Sequence, residues 1–352
     1  MRMRLERREP LPSWVLVLLP VAAILATLVL SAIPVALAGA NVFEAYVALF
    51  QGALGSRFNL IETLVKTSPL VFTGLAVAFA FRAKFWNIGA EGQLIAGAIA
   101  GGVVGIYGGA LPSFLLIPLM LLVGFLAGGL YACIPALLRT HLQVDDVVSS
   151  LLLNFVMIYL LSALLFGPLQ RPDAGWPVSA EIAEAARYPV FIERTRLHLG
   201  IPLALGAVLV VWFLNQKTKF GYQARAVGSN LQAAHFAGIP TNRVIVLTAL
   251  VSGGLAGIAG VGEVAAVQYK LLTGFSPDYG YTGIVIAMLG NLHPVGVALS
   301  ALFFGIINVG SQTMSRMVDV PSYISGVMEG TALLVMMVFL LLKDFRLRIE
   351  RR

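Results

Sequence analysis

The stretch FRAKFWNIGAEGQLIAGAIAGGVVG, residues 81–105, decides how the rest of this sequence is interpreted. A hydrophobic run ends here at two basic residues, and a polar cluster of Asn87, Glu91 and Gln93 follows. A carboxylate and two amides are costly in lipid, so we expect them to face protein or a water-filled path. A simpler hypothesis is a helix cap, with Asn87 as the N-cap and Glu91 in the first turn.

The apolar part of the stretch carries small residues at a helical spacing. One face of a helix would hold Gly89, Gln93, Gly97, Gly101 and Gly105. In a membrane, a face of small residues lets a neighbouring helix approach closely. The pattern therefore predicts a tightly packed membrane helix.

The composition is that of a membrane protein with many spans. The chain has 352 residues, of which 59% are hydrophobic and 12% charged, and its mean hydropathy is +0.88. Soluble domains carry about 25% charged residues. The net charge of +7 is too dilute over this length to indicate a nucleic-acid partner. With a single cysteine, Cys133, no disulfide can form within the chain.

Apolar runs predict about ten membrane-spanning helices and therefore an all-α polytopic fold. The expected spans are about 14–37, 68–82, 88–108, 112–138, 147–167, 199–214, 243–262, 279–290, 294–313 and 323–342. Residues 43–66 look amphipathic and are expected to lie at the membrane interface. Residues 263–278 are too polar to span plainly and are expected to be re-entrant or external.

Lys and Arg are concentrated on one side of this layout, and the positive-inside rule then places both termini in the cytoplasm. We expect a single transmembrane domain over 1–352. Its cytoplasmic ends are 1–13 and 343–352, its external loop is 168–198, and its cytoplasmic loop is 215–242. The external loop is either a docking surface or a solvated cover, and the sequence favours neither.

The cytoplasmic loop contains signals for a short helix over 231–237. Ser229 followed by Gln232 fits a capping box, and Gly238 fits a left-handed stop. A rigid helix between spans is suited to transmit force from a soluble motor. The alternative is a plain interfacial helix that only ties two spans together.

Several chemistries have no support in the sequence. No phosphate-binding loop of the form Gly-x-x-x-x-Gly-Lys-[Ser/Thr] occurs, so ATP binding of that kind is excluded. The four histidines lack metal-ligand spacing, and no catalytic constellation is evident, so we expect neither a bound metal nor an enzyme. Glu263 and Glu329 should face protein or water. Asn154 and Asn308 are candidates either for hydrogen bonds between helices or for contacts with a solute.

Three longer stretches carry a common pattern. They are TGLAVAFAFRAKFWNIGAEGQLIAGA at 73–98, KTKFGYQARAVGSNLQAAHFAGI at 217–239 and GYTGIVIAMLGNLHPVGVALSALFFG at 280–305. Together they resemble the permease subunits of nucleoside-type ABC importers, in the broad family that also holds the branched-chain amino acid and ribose permeases. The run at 87–93 is the most specific part. A fourth stretch, 144–156, is similar too, but Asp145 and Asp146 stand where an Asn-Glu pair is common, which leaves the role of that pair in doubt.

The resemblance implies a type II ABC importer permease fold, with inverted repeats of helices around a central path. It implies a second, related permease subunit, ATP-binding subunits that use ATP and Mg²⁺, and a substrate-binding lipoprotein outside. The solutes would be nucleosides or related purine compounds. The chain itself would bind no cofactor, catalyse no reaction and lie in a bacterial plasma (inner) membrane.

The resemblance also implies roles for particular residues. The segment expected to couple to the ATPase comprises Ser229, Asn230, Leu231, Gln232, Ala233, Ala234, His235, Phe236, Ala237 and Gly238. The residues expected to line the substrate path are Asn87, Glu91, Gln93 and Asn154.

A function of a different class also fits the composition. An ion-coupled secondary transporter that works without an ATPase would use Glu91, Glu263 and Glu329 as proton or sodium sites. Dependence on ATP and on partner subunits separates the two hypotheses.

Overall fold

Thirteen α-helices and a terminal β-ribbon form the part of the chain that the computed structural model describes, which is residues 2–7, 13–318, 321 and 323–350. The first half contains β1 (Arg2–Arg7), α1 (Ser13–Leu37), α2 (Val42–Leu54), α3 (Arg57–Arg82), α4 (Ala90–Tyr107), α5 (Ser113–Leu142) and α6 (Asp146–Leu165). The second half contains α7 (Gly200–Lys217), α8 (Lys219–Ser229), α9 (Leu231–Phe236), α10 (Thr241–Glu263), α11 (Tyr279–Leu289), α12 (Pro294–Val318), α13 (Ile324–Asp344) and β2 (Phe345–Glu350).

Seven of these helices, within the described residues, are long and apolar enough to cross a membrane: α3, α4, α5, α6, α7, α10 and α12. An eighth span is possible if α1 and α2 count together, although the chain bends by 116° between them. Helix α11 and the searched part of α13 are apolar but shorter. The all-α polytopic class is confirmed, and the expected count of about ten is reached only if the bent pair and the two short helices are all included.

The predicted start of the second span was wrong. Residues 43–66 were expected to lie at the interface, but α3 begins at Arg57 and is buried along most of its length. The Ser56 hydroxyl caps it by accepting a hydrogen bond from the Asn59 N–H at 3.0 Å. Polar residues such as Glu62 and Thr67 are buried against protein in the first turns of this helix, so their polarity does not disqualify it as a span.

Helices α4, α5 and α10 pack together through glycine. A Cβ added at Gly97 would overlap the backbone of Gly257, and one added at Gly128 would overlap the backbone of Gly253. These contacts confirm the close packing that the small-residue face predicted.

The stretch 263–278, predicted not to span plainly, is divided in the structure: residues 263–268 continue the candidate span that begins at Thr241, and the remainder lies outside it. A π-helical turn, Val264–Gln268, extends α10, and the chain then leaves the helix at Tyr269 in a left-handed conformation. Backbone hydrogen bonds join this segment to the long loop 168–198, from Ser179 N to Leu271 O at 3.0 Å and from Ile182 N to Tyr269 O at 2.9 Å.

The two ends of the chain meet in the β-ribbon. Strands β1 and β2 pair antiparallel, with Arg2 opposite Glu350 and Arg7 opposite Phe345. Both ends therefore lie on the same side of the helical bundle, as an even number of spans requires. Positions 1, 8–12 and 351–352 of the predicted cytoplasmic ends lie outside the described residues.

Candidate functional site

The segment between α3 and α4 runs along one face of α6 and is held there by side chains. Trp86 N–H donates to Asp146 Oδ2 at 2.7 Å, and Ile88 N–H donates to Ser150 Oγ at 3.1 Å. Asn154 Nδ2 donates to Ile88 O at 2.9 Å. The three α6 residues are spaced at i, i+4 and i+8, so they share a face and satisfy backbone groups of a segment that belongs to no helix or strand.

Asn154 also serves the first turn of α4. Its Oδ1 accepts a hydrogen bond from Gly92 N–H at 2.8 Å, and its Nδ2 contacts the Tyr281 hydroxyl at 3.1 Å. Gly89, at the N-cap of α4, offers no side-chain cap. Asn154 therefore supplies from another helix what a local cap would supply, and it joins α6, α4 and α11.

Asn87 and Gln93 form a reciprocal amide pair. Asn87 Nδ2 donates to Gln93 Oε1 at 2.9 Å, and Gln93 Nε2 donates to Asn87 Oδ1 at 2.8 Å. Asn87 Nδ2 also lies 3.0 Å from Ser252 Oγ on α10, which donates to Ala76 O on α3 at 2.7 Å. The expectation that Asn87 is the N-cap of α4 was wrong by two residues, because Gly89 holds that position.

Glu91 lies in the first turn of α4, as expected, but its carboxylate serves a different helix. Glu91 Oε2 accepts a hydrogen bond from Gly280 N–H, in the first turn of α11, at 2.7 Å. A Cβ at Gly280 would overlap the Glu91 backbone, so only glycine allows this approach. A helix N-terminus favours a negative charge. Glu91 therefore links the beginnings of α4 and α11.

The four predicted path residues thus come together, and all are buried. Their exposed fractions are 0% for Asn87, 2% for Glu91, 1% for Gln93 and 0% for Asn154. In this conformation they hydrogen-bond to protein and hold the beginnings of two internal helices. Their contact with a solute stays a prediction.

A second polar cluster lies where the long loop meets the helices, and the sequence reasoning missed it. Arg196 forms a two-pronged ion pair with Glu62 of α3, with Nε to Oε1 at 2.9 Å and a second contact from Nη2 to Oε2. The Glu62 carboxylate raises the pKa of Arg196. Lys66 Nζ contacts the Tyr279 hydroxyl at 3.3 Å. The only available signal was the i, i+4 spacing of Glu62 and Lys66 in a stretch interpreted as interfacial.

His198 anchors the end of the same loop. Its Nδ1 accepts a hydrogen bond from Gly200 N–H at 3.0 Å, and its ring is buried. Burial, together with the nearby Arg196 charge, lowers the pKa of His198 to about 4. Tyr188, His198 and the buried Glu263 line one small enclosed cavity of about 10 Å³, the size of a single water.

The loop 215–242, predicted to be cytoplasmic, contains two helices where one was predicted. Helix α8 precedes α9, and the expected capping box is wrong. Asn230, not Ser229, caps α9 by accepting a hydrogen bond from Ala233 N–H at 3.0 Å, while Ser229 Oγ donates to Arg225 O at 2.9 Å. Gly238 adopts φ +76°, so the predicted left-handed stop is confirmed.

Helix α9 presents apolar side chains outward. Phe236 is 90% exposed and Leu231 is exposed as well, whereas Ala234 is only 4% exposed. The rest of the predicted coupling segment, apart from Ala234, is also exposed. Exposed apolar side chains on a helix between spans suit contact with a protein partner or with the membrane interface, so the exposure of Phe236 and Leu231 is compatible with both hypotheses for α9.

Comparison with known proteins identifies the family. Residues 59–341 match the model for branched-chain amino acid transport system / permease component. The chain belongs to this family. It is the permease subunit of an ATP-binding-cassette importer. No solved structure matches the chain.

Three similar permeases align over most of this chain and over most of their own length. The glucose ABC transporter permease protein TsgB13 of Haloferax volcanii is 34% identical over 99% of this chain and 94% of its own length. The guanosine ABC transporter permease protein NupP of Bacillus subtilis is 34% identical over 87% and 88%. The nucleoside ABC transporter permease protein NupB of Lactococcus lactis is 30% identical over 85% and 85%. Each organism also has a second matching permease, at 26–28% identity.

Proposed function

We propose that this permease imports nucleosides or related purine compounds. The observation that carries the proposal is that two of the three similar permeases are named for guanosine or for nucleosides and cover more than four fifths of the chain. A hexose is the second candidate, because the glucose permease covers 99% of the chain at 34% identity.

The segment from Ser229 to Gly238 is proposed to couple this subunit to a separate ATPase, which would bind ATP and Mg²⁺. Three observations support this. Helix α9 has capped and stopped ends, its Phe236 and Leu231 side chains are exposed, and Ala233 and Ala237 beside them leave room for a close partner.

The importer is proposed to contain a second, different permease and an external substrate-binding lipoprotein. The matching permeases come in pairs from one organism, and this chain is more similar to one member of each pair. The proposed location is a bacterial plasma (inner) membrane with both termini in the cytoplasm. The paired terminal strands and the distribution of Lys and Arg support the common side of the termini.

Co-purification and uptake test the proposal together. A tagged chain, expressed with the genes that neighbour it, should bring down an ATP-binding subunit and a second permease. Proteoliposomes containing the complex and the binding protein should accumulate labelled guanosine only when ATP is present on the side of the membrane that carries the ATPase subunits. An excess of unlabelled nucleoside should compete, and glucose should not. Accumulation of labelled glucose but not of labelled guanosine would select the hexose instead.

Glu91 separates the importer from the ion-coupled alternative. The Glu91→Gln variant keeps a side-chain oxygen that can accept the Gly280 N–H, so an ATP-driven importer should retain most of its uptake. A proton- or sodium-coupled transporter would lose coupling with the carboxylate. Guanosine uptake by the chain alone, driven by an ion gradient, would refute the importer proposal.

A further inference from the structure

Helix α12 carries a polar face in an otherwise apolar span. The face consists of Asn308, Ser311, Gln312, Ser315 and Arg316, at positions i, i+3, i+4, i+7 and i+8. Gln312 and Arg316 are exposed in this chain. Amides and a guanidinium facing lipid are expensive, so this face must meet either water or protein.

The polar face forms one wall of a groove. Lys66 from α3 and Pro277 from the segment before α11 complete the lining, and the groove has a volume of about 500 Å³. Pockets that bind small molecules measure about 300–1,000 Å³. The groove is therefore large enough for one small polar solute and too large for a few waters alone.

The lining has a definite chemistry. The amides of Asn308 and Gln312 and the two serine hydroxyls can both donate and accept hydrogen bonds. Lys66 and Arg316 donate only and add positive charge. No carboxylate is among the described lining residues, although the Glu329 carboxyl on α13 lies beside the groove, where it contacts the Asn308 amide and accepts a hydrogen bond from the Thr282 hydroxyl at 3.3 Å. The two basic residues of the lining outnumber this single carboxyl. Such a lining suits a hydroxylated, acceptor-rich solute that is neutral or anionic, and it repels a cation.

We infer that this groove is the surface with which the subunit contacts its transported solute, and that it selects neutral or anionic hydroxylated compounds over cations. The inference rests on the proposed function and adds a site to it, because the groove shares none of its lining with the buried cluster around Glu91.

Cysteine accessibility tests the groove directly, since the chain has one cysteine to remove. In the assembled importer with a Cys133→Ala background, Gln312→Cys should react with a charged, membrane-impermeant thiol reagent. Leu299→Cys, at an exposed apolar position on the same helix, should not react, because a thiol in lipid does not ionise. Saturating guanosine should slow the Gln312→Cys reaction. Absence of labelling, or labelling that neither guanosine nor glucose slows, would overturn the inference.

The charge of the groove gives a second readout. After normalisation to their rates with a free thiol, an anionic reagent should react about fivefold faster than a cationic one at Gln312→Cys, because two cations lie nearby. Adding Arg316→Gln should reduce that ratio, and a ratio of one in both backgrounds would contradict the assigned selectivity. Gln312→Leu should lower guanosine uptake about tenfold through lost hydrogen bonds. If Gln312→Leu instead releases the second permease during purification, the face is a subunit contact and the inference fails. An importer that takes up no nucleoside or hexose before mutation would instead refute the proposed function.

Discussion

Asn154→Leu changes the size of the side chain little but should lower the stability of the permease, and the hydrogen bonds of Asn154 give the magnitude. The change removes three hydrogen bonds: Asn154 accepts one from Gly92 N–H and donates the other two to Ile88 O and to the Tyr281 hydroxyl. It leaves the buried Gly92 N–H and the partly buried Ile88 carbonyl unpaired, each costing up to about 1–3 kcal/mol, or about 2–6 kcal/mol together. Measured side-chain hydrogen bonds between membrane helices average about 0.6 kcal/mol, so three give a lower figure of about 2 kcal/mol.

The assay is the thermal melting of the purified importer, read together with its abundance in membranes. A loss of about 2 kcal/mol should lower the apparent melting temperature by roughly 3 °C or more. The melting temperature of Asn154→Asp should lie between those of Asn154→Leu and the native protein, because the aspartate keeps the acceptor for Gly92 N–H and loses the donor to Ile88 O. Leu152→Ala, at an exposed position on α6, is the matched control and should melt near the native temperature.

The result that would refute this reasoning is an Asn154→Leu importer with native abundance and melting temperature. Loss of guanosine uptake in that stable variant would instead support the substrate-path prediction for Asn154. A loss of stability therefore indicates a structural role for Asn154, and a loss of transport without a loss of stability indicates a role in the substrate path.

Three further predictions follow from named contacts. Phe236→Asp should leave the melting temperature of the isolated permease unchanged and cut ATP-driven uptake about tenfold. The reason is that a 90% exposed ring can stabilise only a contact with a partner. Native uptake would argue for a plain interfacial helix. Gly97→Val should cost at least about 1–3 kcal/mol by overpacking against Gly257, while Gly206→Ala, with open space around it, should be neutral in the same melting assay. The pKa of His198 is about 4 when folded, below its unfolded value of about 6.5, so its contribution to stability should be full above pH 6.5 and decline from there toward pH 4. Melting temperatures that fall equally in His198→Gln over this range would exclude His198 as the cause.

Much of the fold was predictable because lipid imposes a simple rule on exposed helices. Helices α5 and α6 face outward with many apolar side chains, and hydropathy located both within a few residues. The rule failed for α3, whose first turns meet protein instead of lipid. Glu62 there pairs with Arg196, which is 134 residues away in sequence, and no local pattern reveals such a partner.

The candidate site shows the same division between local and distant information. Glycine spacing predicted the tight packing of α4, because the requirement for small residues is visible in one helix alone. The cap of α9 was missed by one position, since serine and asparagine are both good N-caps and only the backbone decides which serves. The roles of Asn154 and Glu91 needed the structure, because each satisfies a helix that begins far from it in the chain.

The geometry of Glu91 bears on which class of transporter this fold supports. In an ion-coupled mechanism, the carboxylate must exchange a proton or sodium ion during each cycle. Here Glu91 Oε2 already accepts the Gly280 N–H, and the glycine backbone packs directly against it. A sodium ion held by both carboxylate oxygens would leave this buried N–H of α11 unpaired, at about 1–3 kcal/mol per cycle, whereas a proton on Oε1 would leave the contact in place. The contact therefore argues against a sodium-coupled role for Glu91, and α4 and α11 can move as a joined pair without breaking it.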